Sequence, residues 1–214
     1  MNILVLGASG GCGSYVVAQG VQRGHKVTAL VREETSFAAS PEVEVIRGSV
    51  LDYSTLEKAT RNQDAVISCL GLKRKNKLNP WSSITSPLDL TTKTAENLMK
   101  ALPADFPVAV ISAAGVGESF DRTNSVLQFL IRKSNLGPAY QDLENMEELL
   151  SSGELNWHAV RPVTLTNGKQ SKKTSVNSSY GLFDMISRAS VASWLLDVIE
   201  QGGYPQSRTP IIKG

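Results

Sequence analysis

Short apolar runs alternate with amphipathic stretches along almost the whole chain. Asn2–Leu6, Lys26–Val31, Val43–Arg47, Ala65–Cys69, Val108–Ser112, Trp157–Arg161 and Thr209–Ile212 are brief and rich in β-branched residues, and several are nearly all apolar. Such runs predict parallel strands covered on both faces. Between them the period lengthens. Leu88, Ala95, Leu98, Met99 and Leu102 recur at helical spacing, and further helices are predicted over about Gln141–Leu150 and Arg188–Ile199. Ser54-x-x-Glu57 reads as a capping box, and Ser86-Pro87 as an N-cap with proline at the first helical position. This alternation specifies an α/β fold, a doubly wound parallel sheet of Rossmann type forming a single domain over 1–214. No internal repeat or linker divides the chain. The irregular segments at about 72–85 and 164–180 are expected to be substrate-side loops.

Composition narrows the function classes. At 214 residues, with 41% hydrophobic and 20% charged, the chain can bury a substantial core. A net charge of +2 is too small for a nucleic-acid footprint, and no apolar run reaches the length of a membrane span. The first residues enter a strand without a charged-then-apolar leader, so a cytoplasmic setting is expected. Cys12 and Cys69 form no CxxC pair, and His25 and His158 are the only histidines, so no metal site is expected. The oligomeric state stays open.

The chemistry begins in LGASGGCG, residues 6–13, directly after the first apolar run. Gly7, Gly10 and Gly13 make GxxGxxG at a strand-to-helix junction. In a dinucleotide-binding turn one glycine permits the reversal, one lets a diphosphate approach the backbone, and one lets helix and strand pack closely. The helix N-terminus then offers free N–H groups to the phosphates, with Gly11 and Cys12 inside the turn and Ser9 adding a hydroxyl. At the end of the second strand an acidic residue would hold the ribose 2′-hydroxyl of NAD, whereas arginine accepts the 2′-phosphate of NADP. Arg32 stands there and favours NADP, while Glu33 beside it leaves NAD possible.

The fragments GASGGCG, ALVR, GSVLD, DAVISCLG, VISAAGVG, NWHAVRPVTLTNG and ISRASVA, taken in order, resemble the atypical short-chain dehydrogenase/reductases. The similarity is greatest to the branch holding NAD(P)H-dependent flavin and biliverdin reductases and NmrA-like proteins. This resemblance implies that Ser49-Val50 border the adenine and that Cys69-Leu70-Gly71 pass under the adenosine. It also implies that Ser112-Ala113 approach the nicotinamide and that Arg161-Pro162 border its pocket. Three departures stand out. Ser49 and Ser190 replace an aspartate common in the family, and no tyrosine is followed four residues later by lysine.

A Tyr–Lys pair serves carbonyl reduction by lowering the tyrosine pKa. Without it, hydride transfer from NADPH to a conjugated acceptor is favoured, a flavin, quinone or tetrapyrrole that spreads the incoming charge. Ser112 would position that small-molecule acceptor. Tyr140 either lines its site or packs at a helix start, and Lys133 would reach Tyr140 only if the chain turns back. The basic runs Lys73–Lys77 and Lys169, Lys172, Lys173 would form a positive rim for an anionic acceptor or lie as solvated loops. Trp81 would cap an aromatic acceptor or pack beneath its loop. Cys12 is read as a small buried filler rather than a redox-sensitive thiol, and His158 as a core residue. The rival class is a non-catalytic NmrA-like sensor that binds NAD(P) and acts through a protein partner. The short stretch after Pro162 favours the reductase over the sensor.

Overall fold

The structure is a computed structural model that describes residues 1–38, 40–76, 78–170, 174–204 and 206–214. Its centre is β1 (Asn2–Leu6), four of whose five residues are buried. β2 (Lys26–Val31) and β4 (Ala65–Ser68) flank it in parallel. β3 (Val43–Arg47) lies outside β2, while β5 (Pro107–Ile111), β6 (Asn156–Pro162) and β10 (Ile211–Lys213) extend the other way, all parallel. β8 (Ser175–Asn177) adds an antiparallel edge. The order is therefore β3-β2-β1-β4-β5-β6-β10-β8. The strand order reverses between β1 and β4, so the connections after them diverge and open a crevice at the carboxyl edge. A separate two-stranded ribbon joins β7 (Thr164–Thr166) to β9 (Met185–Ser187).

Alternation along β1 feeds two cores. Ile3 and Val5 face α1 (Gly13–Gln22) and α6 (Arg188–Glu200). Leu4 and Leu6 face α2 (Tyr53–Thr60), α3 (Leu90–Ala101) and α5 (Gly137–Ser151). The expected Rossmann-type doubly wound sheet is what forms. No described helix is long and apolar enough to cross a membrane.

Several local expectations need correction. The α2 cap is Asp52, not Ser54, because its carboxylate takes the N–H groups of Ser54 and Thr55 at 3.3 and 3.1 Å. Hydroxyl and N–H donors from Thr55 and Ser54 hold that carboxyl below the usual range. Ser86 caps no helix. Its hydroxyl accepts Lys73 N–H at 2.9 Å and closes the 72–85 loop, while α3 begins at Leu90. The first turn of α3 is capped from a distance: buried Asp142 of α5 accepts Thr91 and Thr92 N–H at 2.9 and 3.0 Å. The last strand starts at Ile211 rather than Thr209. A 3-10 helix over Gly117–Arg122 and α4 (Ser125–Lys133) follow β5 where no helix was expected. No residue of α4 is buried, so its apolar pattern had no core to mark. The signal was Asn124, whose side chain caps it through Leu127 N–H at 2.9 Å.

Candidate functional site

The β1–α1 turn is as tight as its glycines allow. Gly7 has φ 74°, and its carbonyl accepts Gly10 N–H at 2.8 Å. A Cβ on Gly13 would stand 2.2 Å from that same carbonyl oxygen. A Cβ on Gly7 would stand 2.9 Å from the Cys69 carbonyl oxygen and 3.2 Å from a Leu70 methyl. The turn and the end of β4, remote in sequence, thus meet backbone to backbone. Among the described residues, no protein acceptor takes the N–H of Gly11, Cys12 or Gly13. Ser9 and Gly11 are exposed beside them. Burial pushes the Cys12 thiol up to about 11, against the opposing charge of Arg188, and burial with the neighbouring Cys12 raises Cys69. Both thiols stay protonated near neutral pH, as inert fillers do.

The crevice continues on both sides. Arg32, just after β2, is well exposed and pairs with Glu34 at 3.1 Å rather than with Glu33. An exposed pair of this kind holds its guanidinium weakly. Ser49 turns the chain, its hydroxyl accepting Leu51 N–H at 3.1 Å, and Asn97 donates to the Val50 carbonyl at 3.2 Å. Gly71 is exposed, with open space where a Cβ would be. After β5, Ser112 N–H bonds Val160 and Ala114 N–H bonds Pro162, so the Ser112-Ala113 and Arg161-Pro162 segments lie side by side. The Ser112 hydroxyl is buried and has no hydrogen-bond partner among the described residues.

Arg161 does something the resemblance does not imply. Its guanidinium is 3% exposed and is enclosed by Glu147 and Glu118, including an Nε bond to Glu147 at 3.1 Å. These partners come from α5 and the 3-10 helix, so only its backbone is offered to the strand edge. Burial opposes the charges, but the Arg161 bond and field hold Glu118 below the usual carboxylate range.

Tyr140 does reach the same region. Its hydroxyl donates to the Ala114 carbonyl at 3.4 Å, two residues from Ser112. Burial raises its pKa, the Tyr180 hydroxyl adds to this, and Arg74 works the other way. The phenol is therefore neutral. Arg74 and Tyr180 are neighbours that sequence spacing could not pair with Tyr140, since they come from the two irregular loops. The chain does turn back after Lys133, but that residue is exposed at the end of α4, and its carbonyl accepts the Trp81 indole N–H at 3.1 Å. Trp81, 55% exposed, thereby fastens the 72–85 loop to the α4–α5 connection, where Asn135 adds bonds to Trp81 and Ser82 carbonyls. Of the basic runs, Lys77, Lys172 and Lys173 lie outside the described residues. His158 is a core residue whose Nε2 accepts Tyr204 N–H at 2.9 Å.

Comparison with known proteins bears on the fold and the family. A phenylcoumaran benzylic ether reductase of Nicotiana tabacum is 28% identical over 135 residues, 58% of this chain and 38% of the relative. The chain spans about two fifths of the length of the curated relatives it matches over such stretches. Among solved structures, ChuY, an anaerobilin reductase of Escherichia coli O157:H7, superposes with TM-score 0.74 at 17% identity, covering 100% of this chain and 97% of ChuY. A short-chain dehydrogenase/reductase of Veillonella parvula, solved with NADP, gives TM-score 0.76 at 17% identity, covering 100% and 94%. Both show a shared fold. The model of a family described as NAD(P)H-binding matches residues 7–202, and the chain belongs to that family.

Proposed function

We propose that the protein is an NADP(H)-dependent reductase that passes hydride to a conjugated small-molecule acceptor. The observation that carries this reading is the buried, unpartnered Ser112 hydroxyl at the strand edge that also holds the glycine turn. A buried hydroxyl without a partner costs stability unless a ligand completes it. The residues fit a pyridine dinucleotide. The N–H groups of Gly11, Cys12 and Gly13, without a protein acceptor among the described residues, suit a diphosphate, and the close approaches at Gly7 and Gly13 seat that helix start tightly against the ends of β1 and β4. Arg32 would take a 2′-phosphate, and Ser49, Val50 and Cys69 to Gly71 would line the adenosine. When bound, the dinucleotide supplies the hydride.

The chain supplies position and exclusion of water. Ser112 and the Ala113 backbone orient the reacting rings. Tyr140 is a poor acid, because its raised pKa keeps the proton on the phenol. An acceptor that delocalises the added charge and takes its proton from solvent fits that limitation, whereas a simple ketone does not. ChuY, of similar fold, is named for reduction of an anaerobilin, and the tobacco relative for an ether reduction. The test is NADPH oxidation with a panel of free flavins, quinones and bilins, alongside simple ketones. Turnover restricted to the conjugated compounds is expected. Binding of NADPH with no oxidation by any of them would overturn the reading.

A further inference from the structure

Arg188, the first residue of α6, has no part in the scheme above, yet its side chain crosses the glycine turn. A Cβ built on Gly11 would stand 2.8 Å from Arg188 Nε and 2.9 Å from its Cδ. Gly11 is thus the residue that lets an arginine stem lie on the turn. The position is enforced from both helices. Ser187 caps α6 by accepting Ser190 N–H at 3.1 Å, and Gln19 of α1 donates to the Ala189 carbonyl at 3.0 Å. The start of α6 is therefore tied to α1.

Electrostatically the placement is adverse as it stands. A cation at the first position of a helix opposes the helix dipole. It also lies beside the Gly11, Cys12 and Gly13 N–H groups, which have no protein acceptor among the described residues. No described carboxylate forms an ion pair with Arg188; its guanidinium donates to the neutral Asn167 side-chain oxygen at 2.7 Å. An anion on the turn would reverse each of these terms, and a two-pronged guanidinium suits phosphate oxygens.

We propose that Arg188 is a diphosphate ligand, clamping the bridge of the dinucleotide from the α6 side while Asn167 holds the side chain over the turn beforehand. The inference rests on the dinucleotide reading, and it separates two arginines by the phosphate each takes. Arg32 faces the 2′-phosphate that only NADPH carries, whereas Arg188 faces the diphosphate common to NADPH and NADH.

Calorimetric titration of the full chain with NADPH and with NADH tests it. Arg188→Gln is expected to weaken both nucleotides by the same factor, about 10- to 100-fold for a charge-assisted bond. Arg188→Lys should lose less, and Arg32→Gln should weaken NADPH alone. The ligand-free Arg188→Gln protein should melt no lower than wild type, since an unfavourable helix-end charge is gone; if it does melt lower, Arg188→Lys carries the comparison. Unchanged affinity in the Arg188 variants, or a loss confined to NADPH, overturns the clamp while leaving the dinucleotide reading intact. Wild type that binds neither nucleotide overturns both.

Discussion

Replacing Gly13 by alanine puts a methyl group into the closest contact of the β1–α1 turn. The new carbon would stand 2.2 Å from the Gly7 carbonyl oxygen and 2.9 Å from Ala8 Cα, against an ordinary contact of 3.4 Å or more. Neither neighbour can yield easily. Both are backbone atoms, Gly7 is held at φ 74°, and its carbonyl already accepts Gly10 N–H. Relief therefore requires α1 to move away from β1 by roughly 1 Å, in a core packed too densely to absorb it. Overpacking of this kind costs about 1–3 kcal/mol. For a chain of this size that lowers the melting temperature by about 2–12 °C. The same movement carries the Gly11, Cys12 and Gly13 N–H groups with the helix, and weakening a charge-assisted bond worth about 1.5–3 kcal/mol should lower NADPH affinity by about 10-fold or more. Thermal unfolding by circular dichroism reads the first effect and NADPH titration the second. Gly71→Ala, whose Cβ enters open space, is the comparator and should melt with wild type. A Gly13→Ala protein that melts with wild type and binds equally well would show slack in the turn and refute the argument from close approach.

Three further outcomes follow from other contacts. Asp142→Ala leaves the Thr91 and Thr92 N–H groups of α3 without their buried acceptor. Urea unfolding should show a loss of about 2–6 kcal/mol, at about 1–3 per unmade bond, and a loss under about 1 would refute the inter-helix cap. Burial, aided by Arg208, holds the His158 pKa below its ordinary 6.5. The unfolded chain then takes up a proton that the folded one refuses, so this contribution is complete above pH 6.5 and declines as pH falls from there through the folded value. His158→Gln should flatten the stability profile as pH falls below 6.5, and an unchanged slope there would assign it to other groups. Tyr140→Phe should change kcat/KM for a flavin by less than about 10-fold; a drop of roughly 100-fold or more, the scale of a lost general acid, would make the phenol the proton donor.

Local pattern carried most of the fold. The strand runs were legible because burial on both faces needs continuous apolar stretches, which no other element of that length requires. The glycine turn was legible for a similar reason, since a contact of 2.2 Å at a Cβ position forbids every residue but glycine. Caps were read less well. Ser54 and Ser86 have the right chemistry, but Asp52 competes more strongly for one helix start, and the other start is served by Asp142, about fifty residues away. α4 escaped because none of its residues is buried, and the β7–β9 ribbon because its strands are three residues each, too short to show a strand period.

The sequence by itself determined the parallel strands, their α/β alternation and the backbone of the candidate dinucleotide turn, because those depend on neighbours a few residues apart, whereas the antiparallel edge strand β8 lies in a segment that reads as a loop. Tertiary structure alone decided where long side chains spend their charge. It turned Arg161 inward to Glu147 and Glu118, drew Arg74 and Tyr180 from separate loops toward Tyr140, and laid Arg188 across Gly11. A flexible side chain spans several ångströms, and its partner is chosen by whichever opposite charge or open space the fold brings within reach. That choice leaves no periodicity in the chain to read.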